Sequence, residues 1–304
     1  MLASPLLLAC FAVACVPAAL ALSTARWPRR SPAAAIVLWQ ALGLGWGLAA
    51  VGALAGLGLA GSRSGLAEGA LALAQSVLRG RDPRVSGLRL LALAAGLLLL
   101  LLLCWILVAA FAVVMRARRR QRMLLSLLAH GDPKVPGALV VDHPAAAAYC
   151  VPGLKSKIVI SAGALNLLDQ AELAAVLAHE RAHLRERHDL VLLPFTALLL
   201  VFRWTGVARE ANAAVGLLVE MLADDRARRH RPARELATAL LRVGAAGGVH
   251  APAGALAAGG GQVAARVSRL LRPAPRLSVP ALALIGLAAI GAVAVPVAFM
   301  ALPF

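Results

Sequence analysis

Residues 171–190 read AELAAVLAHERAHLRERHDL, and within them His179-Glu180-Arg181-Ala182-His183 forms an H-E-x-x-H motif. The apolar residues recur at helical spacing, so positions four apart stack one turn above each other and both imidazoles leave the helix on one face. Two imidazoles so placed can hold one Zn²⁺, with the Glu180 carboxylate beside it. Asp169 followed by Glu172 has the form of a capping box, which would start the helix about two turns before the histidine pair. The same residue types also suit an exposed charged face, to which Arg181, Arg185, Glu186, Arg187 and His188 would belong. His188 is not expected among the ligands, because nine residues beyond His179 is half a revolution away on a continuous helix.

A third ligand is available downstream. Residues 209–229 have a helical pattern, and Glu220-Met221-Leu222-Ala223-Asp224 places two carboxylates one turn apart on one face. Glu220 can complete a His₂Glu set with water in the fourth position, and Asp224 can accept the free N–H of a ligating imidazole. A solvated acidic patch is the alternative reading of this pair.

H-E-x-x-H followed 37 residues later by E-M-L-A-D resembles the gluzincin pattern of membrane metallopeptidases. Ala148-Tyr149-Cys150-Val151-Pro152-Gly153, together with Ile158-Val159-Ile160-Ser161-Ala162-Gly163, resembles the segment that precedes the zinc helix in that family. The layout is most similar to that of the beta-lactam-sensor antirepressor proteases, while the heat-shock and prenyl-protein membrane proteases share the E-x-x-A-D element. The resemblance spans about residues 116–239 in motif. It implies a cytoplasmic α+β, zincin-like metalloprotease domain acting as an endopeptidase, with Zn²⁺ as cofactor. It also implies His179, His183 and Glu220 as ligands, Glu180 as the catalytic acid-base and Asp224 as the partner of a ligand imidazole. The implied partner is a protein or peptide substrate, including a cytoplasmic repressor in a signalling pathway. The sensors carry an extracellular penicillin-binding domain beyond the last span; no counterpart is read before Phe304, nor any S-x-x-K acylation motif, so beta-lactam sensing is not expected.

Composition bounds the class independently of any motif. Of 304 residues, 61% are hydrophobic and 15% charged, with a mean hydropathy of +0.81. Soluble domains are nearer half apolar, so a mainly α, polytopic membrane protein is expected. The formal charge of +17 comes from 31 Lys and Arg against 14 Asp and Glu. Here the arginines flank apolar runs, where they orient helices and attract anionic headgroups, so no direct nucleic-acid partner is expected. Four cysteines are too few for a disulfide scaffold, and Cys10, Cys15 and Cys104 lie inside apolar runs. Cys150 reads as a small packed residue on a strand.

Four spans are expected, at 2–22, 36–60, 90–115 and 277–304. The first run also has the length of a signal peptide, with Ala19–Ala21 as a cleavage site, and Leu8-Ala9-Cys10 suggests a lipoprotein site. No Lys or Arg precedes the run, which favours a retained helix. Arg116, Arg118, Arg119, Arg120 and Arg122 close the third span and place the chain beyond them in the cytoplasm of a plasma-membrane protein, with the N-terminus outside. Arg63, Arg79, Arg81 and Arg84 of the polar interlude at 62–89 weaken that inference. Residues 116–243 are the expected catalytic domain. Within it, 139–142, 149–151 and 157–161 read as strands, one of them open to pair with an extended substrate. The apolar run 190–202 contains Pro194 and is too short to span, so a buried or interfacial helix is expected. Residues 235–243 read as one more helix, 244–261 as a Gly/Ala linker, and the arginines at 266, 269, 272 and 276 as a basic juxtamembrane segment. His230 fits either transition-state stabilisation or a surface basic cluster.

Two other functions fit these features: a quality-control protease for membrane proteins, or a non-catalytic membrane scaffold with structural zinc. A membrane-surface lipid binder is a third. A structural site would need a fourth protein ligand, for which no nearby Cys or His has suitable spacing.

Overall fold

The computed structural model describes residues 3–60, 65–79, 86–132, 135–153, 156–246 and 259–302. In chain order the helices and strands are α1 (Ala3–Thr24), α2 (Pro32–Gly58), α3 (Leu66–Leu78), α4 (Gly87–Leu128), β1 (Ala129–Gly131), β2 (Ala138–Val141), β3 (Ala148–Val151) and β4 (Lys157–Ser161). There follow α5 (Ala162–Leu167), α6 (Gln170–Arg185), α7 (His188–Val201), α8 (Gly206–Ala227), α9 (Ala233–Ala245), α10 (Gly259–Leu271) and α11 (Val279–Ala301). They form two compact units, one of Met1–Val108, Ala197–Asn212 and Leu277–Phe304, the other of Ala109–Thr196 and Ala213–Arg276.

Four helices, α1, α2, α4 and α11, are long and apolar enough to cross a membrane. The shortest, α1, has 22 residues, about 33 Å at 1.5 Å per residue, against a hydrocarbon core of about 30 Å. Leu91, Leu98, Trp105, Leu287 and Ile290 stand exposed on α4 and α11, a surface suited to lipid and costly in water. These features make a multi-pass membrane protein. In the first unit α2 packs against both α1 and α11. Small residues line the seams: Ala12, Ala49 and Ala53 beside Leu8 in one, Ala41, Ala289 and Ala292 in the other. A Cβ at Gly45 would lie 2.1 Å from the Ala292 carbonyl oxygen, so the second seam closes only around a glycine.

The third expected span ends at 115, but α4 runs on to Leu128. Arginine, glutamine, methionine and leucine are good helix formers, and neither Gly nor Pro interrupts them before Gly131. The basic run therefore ends the apolar surface without ending the helix. Within the interlude at 62–89, residues 66–78 are helical, whereas Arg63, Arg81 and Arg84 lie outside the described residues.

In the second unit the three expected strands form β2, β3 and β4, joined by the short β1 in a sheet of order β1-β2-β4-β3. β2 and β4 run parallel at its centre, with Val140 opposite Ile160, and β3 pairs antiparallel with β4, with Tyr149 opposite Val159. Leu173 and Leu177 of α6, with Ala239 and Val243 of α9, cover Val140, Ile158 and Ile160 as the core. α6 also lies against β3, the edge strand.

The capping box on α6 is present: Asp169 accepts from the amides of Ala171 and Glu172, and Glu172 accepts from the Asp169 amide. Glu172 is buried and also takes Arg242 of α9 at 2.9 Å, which ties the helix start to its neighbour. α7 has 14 residues, about 21 Å, short of a bilayer crossing. Residues 259–271, expected within the linker and basic segment, form α10 instead; positions 247–258 of the linker lie outside the described residues.

Candidate metal centre

The mid-helix position of His179 and His183 on α6 brings their Nε2 atoms to 3.1 Å from each other. α8 supplies Glu220, whose Oε2 lies 3.4 Å from His179 Nε2 and whose Oε1 lies 3.5 Å from His183 Nε2. A tetrahedral ion with bonds of about 2.0–2.1 Å separates its ligand atoms by about 3.3–3.4 Å. The two nitrogens stand close to that spacing, each has a different Glu220 oxygen at about that distance, and one donor atom from each of the three residues lies within 4.8 Å of the others. Among the described residues no further His, Cys, Asp or Glu joins this group. The Glu220 side chain keeps 35% of its exposure, so one edge of the site faces solvent.

The outward nitrogens of both imidazoles have polar neighbours. His179 Nδ1 lies 3.0 Å from Oδ1 of Asp224, a residue 1% exposed. The approach is an ion-pair distance without hydrogen-bond geometry, which favours a proton on the imidazole. His183 Nδ1 lies 3.0 Å from Nδ1 of His188. This corrects the expectation that His188 points away. α6 stops at Arg185, Glu186 caps it and Arg187 takes a left-handed φ of 50°. The turn folds His188, the first residue of α7, back beside His183. Arg118 of α4 holds the start of α7 through a 2.7 Å pair with Asp189.

Arg266 of α10 is the residue that sequence reasoning missed. It is buried, gives Nε and Nη2 to the two oxygens of Asp224 at 2.9 and 2.7 Å, and gives Nη1 to Glu220 at 2.8 Å. Its Nη2 also lies 3.4 Å from His179 Nε2. The neighbouring carboxylates do not reach the site: Asp225 is turned to Arg269 and Arg228, and Glu210 is exposed. His230 is exposed and lines a cavity of about 210 Å³ with Ala178, Ala182, Arg185, Glu186, Arg226 and Arg229.

The charges follow from this packing. Burial opposes ionisation of Glu220, but the Arg266 guanidinium and the hydrogen bond to His179 hold its carboxyl well below the usual range. Asp224 is lowered in the same way, burial being outweighed by Arg266. Burial alone would neutralise His179, yet the nearby Asp224 and Glu220 carboxylates push it up to about 9. His183 falls to about 3, chiefly through burial, and is a neutral donor at physiological pH. Glu180 is raised to about 7 by burial, against the pull of His179, so it stands ready to exchange a proton near neutrality. Cys150 of β3 adjoins it; burial and then the Glu180 charge push the thiol up to about 12. Cys150 is thus packed against Glu180 as an unreactive thiol.

Two imidazoles and a carboxylate converging on one place are a donor set that fits zinc, which would displace any proton on the ligand nitrogens. Together with the four apolar helices, the arrangement defines the class: a multi-pass membrane protein with a metallopeptidase-type centre. Residues 114–228 match Peptidase family M48, which supports a zincin-type metallopeptidase; Arg266 lies beyond the matched residues. No curated protein and no solved structure matches the chain.

Proposed function

We propose that the protein is a membrane-anchored zinc endopeptidase that cleaves peptide bonds at the cytoplasmic membrane face. One observation carries the reading: His179, His183 and Glu220 each bring a donor atom within 4.8 Å of the others, with one side open. The open side favours catalysis over a structural role, which would need a fourth protein ligand. In this reading residues 116–243 form the catalytic domain, and α10 adds Arg266 to it.

Zinc at this place would polarise a peptide carbonyl and acidify the attacking water. Glu180 takes the water's proton and delivers it to the leaving amine, for which a carboxyl raised to about 7 is well matched. Arg266 orients Glu220 and Asp224 together, and places the Asp224 carboxylate 3.0 Å from His179 Nδ1. β3 is the sheet edge beside α6, so an extended peptide can add to it through backbone hydrogen bonds. The basic end of the α4 apolar surface suits the inner, anionic leaflet. Sequence likeness to the antirepressor proteases favours a cytoplasmic repressor as substrate, which makes the protein part of a signalling pathway.

The test is Glu180→Gln in the full-length protein. Zinc content is expected to stay at the wild-type value while peptide cleavage falls about 10²–10⁴-fold. Wild-type cleavage with unchanged metal would rule Glu180 out as the acid-base.

A further inference from the structure

We infer that His188 is a positioning residue for the metal ligand His183, and that Glu186 and Arg226 set the direction of its hydrogen bond. This rests on the reading of His183 as a ligand. The two imidazoles meet through Nδ1 and Nδ1 at 3.0 Å with their planes 89° apart, a separation that holds a single proton. The identity of the nitrogen that carries it decides what the other side of His183 offers. If His188 donates, the proton of neutral His183 sits on Nε2 and blocks the point where His179 and Glu220 converge. If His183 donates, its Nε2 lone pair is free to bind a cation.

The far side of His188 makes the choice. Its Nε2 lies 3.4 Å from Oε2 of Glu186, and the other oxygen of that carboxylate is held by Nε of Arg226. Bound by a guanidinium, Glu186 stays an acceptor, so His188 must turn an N–H toward it. A neutral His188 has only one ring proton, which leaves its Nδ1 bare to accept from His183. The result is a hydrogen-bonded chain, Arg226 to Glu186 to His188 to His183. His188 is 2% exposed, so water does not compete for its Nδ1. Neither His188 nor Glu186 belongs to the H-E-x-x-H or E-M-L-A-D motifs, and the reversal at Arg187 alone brings them to the site.

The test measures zinc affinity of the detergent-purified, full-length chain by competition with a chelator, together with the Co²⁺ absorption spectrum. His188→Phe keeps the ring's bulk and loses the acceptor; His188→Asn places an oxygen close to the lost Nδ1. The phenylalanine variant is expected to bind zinc about 10–100-fold more weakly with an altered Co²⁺ spectrum, and the asparagine variant to lie within about 3-fold of wild type. Glu186→Ala, at a partly exposed position, is expected to weaken binding several-fold. Wild-type affinity in His188→Phe and Glu186→Ala, or equal losses in His188→Phe and His188→Asn, would overturn the inference while one zinc per wild-type chain leaves the peptidase reading intact. A wild-type chain that takes up no zinc would overturn both.

Discussion

Glu220 lies where both imidazoles and the Arg266 guanidinium meet, and its carboxylate serves two masters, an internal cation on one side and the metal position on the other. Glu220→Ala is therefore expected to lower zinc affinity by more than the roughly 10–100-fold typical of losing an outer partner, measured by metal titration. Asp225→Ala is expected to leave affinity unchanged, since Arg269 and Arg228 already hold that side chain. Unchanged stoichiometry and affinity in Glu220→Ala would move the third ligand elsewhere. At this scale the sequence is readable wherever helix period governs. The i, i+4 spacing puts His179 beside His183 and Glu220 beside Asp224 with no tertiary information. His188 is misread when the period is extended through Arg187, where the backbone turns left-handed. Arg266 is unreadable because its partners, Asp224 and Glu220, are more than forty residues away.

The elements show the same division. Asp169 and Glu172 announce the start of α6, because a capping box is a local device whose partners are three residues apart. The three strands likewise emerge from short apolar runs between Pro, Gly and Lys. α10 escapes a sequence reading because it opens on three glycines, Gly259 to Gly261, which lower helix propensity and resemble linker. Packing overrides that propensity: Val267 and Leu270 are buried against Leu236 and Leu240 of α9. The seam of α2 and α11 gives a prediction at this scale. Gly45→Ala puts a methyl group 2.1 Å from the Ala292 carbonyl, so the helices must separate, at a cost of about 1–3 kcal/mol. A fall in the thermal midpoint of the detergent-purified protein is expected, whereas an unchanged midpoint would mean that the seam is looser than described.

For the whole molecule, the chemistry requires the metal helix and Glu220 to share one side of the membrane. α7 is too short to cross a bilayer, so the stretch from α6 to α8 has no span of its own. The proposed cytoplasmic side is checked by labelling. In a chain whose four native cysteines are replaced, Ser126→Cys at the exposed end of α4 is expected to resist a membrane-impermeant maleimide on intact cells and to react once they are opened. Labelling of intact cells would reverse the orientation. Spans and basic flanks are legible in sequence because lipid demands long uncharged runs; the length of α4 is not, since helix and membrane end for different reasons. The central claim is the place of the ion, and diffraction from zinc-loaded crystals at the zinc absorption edge tests it most directly. One anomalous peak is expected at about 2.0–2.2 Å from His179 Nε2, His183 Nε2 and a Glu220 carboxylate oxygen. A peak held by other side chains, with none between the two imidazoles, would contradict the account.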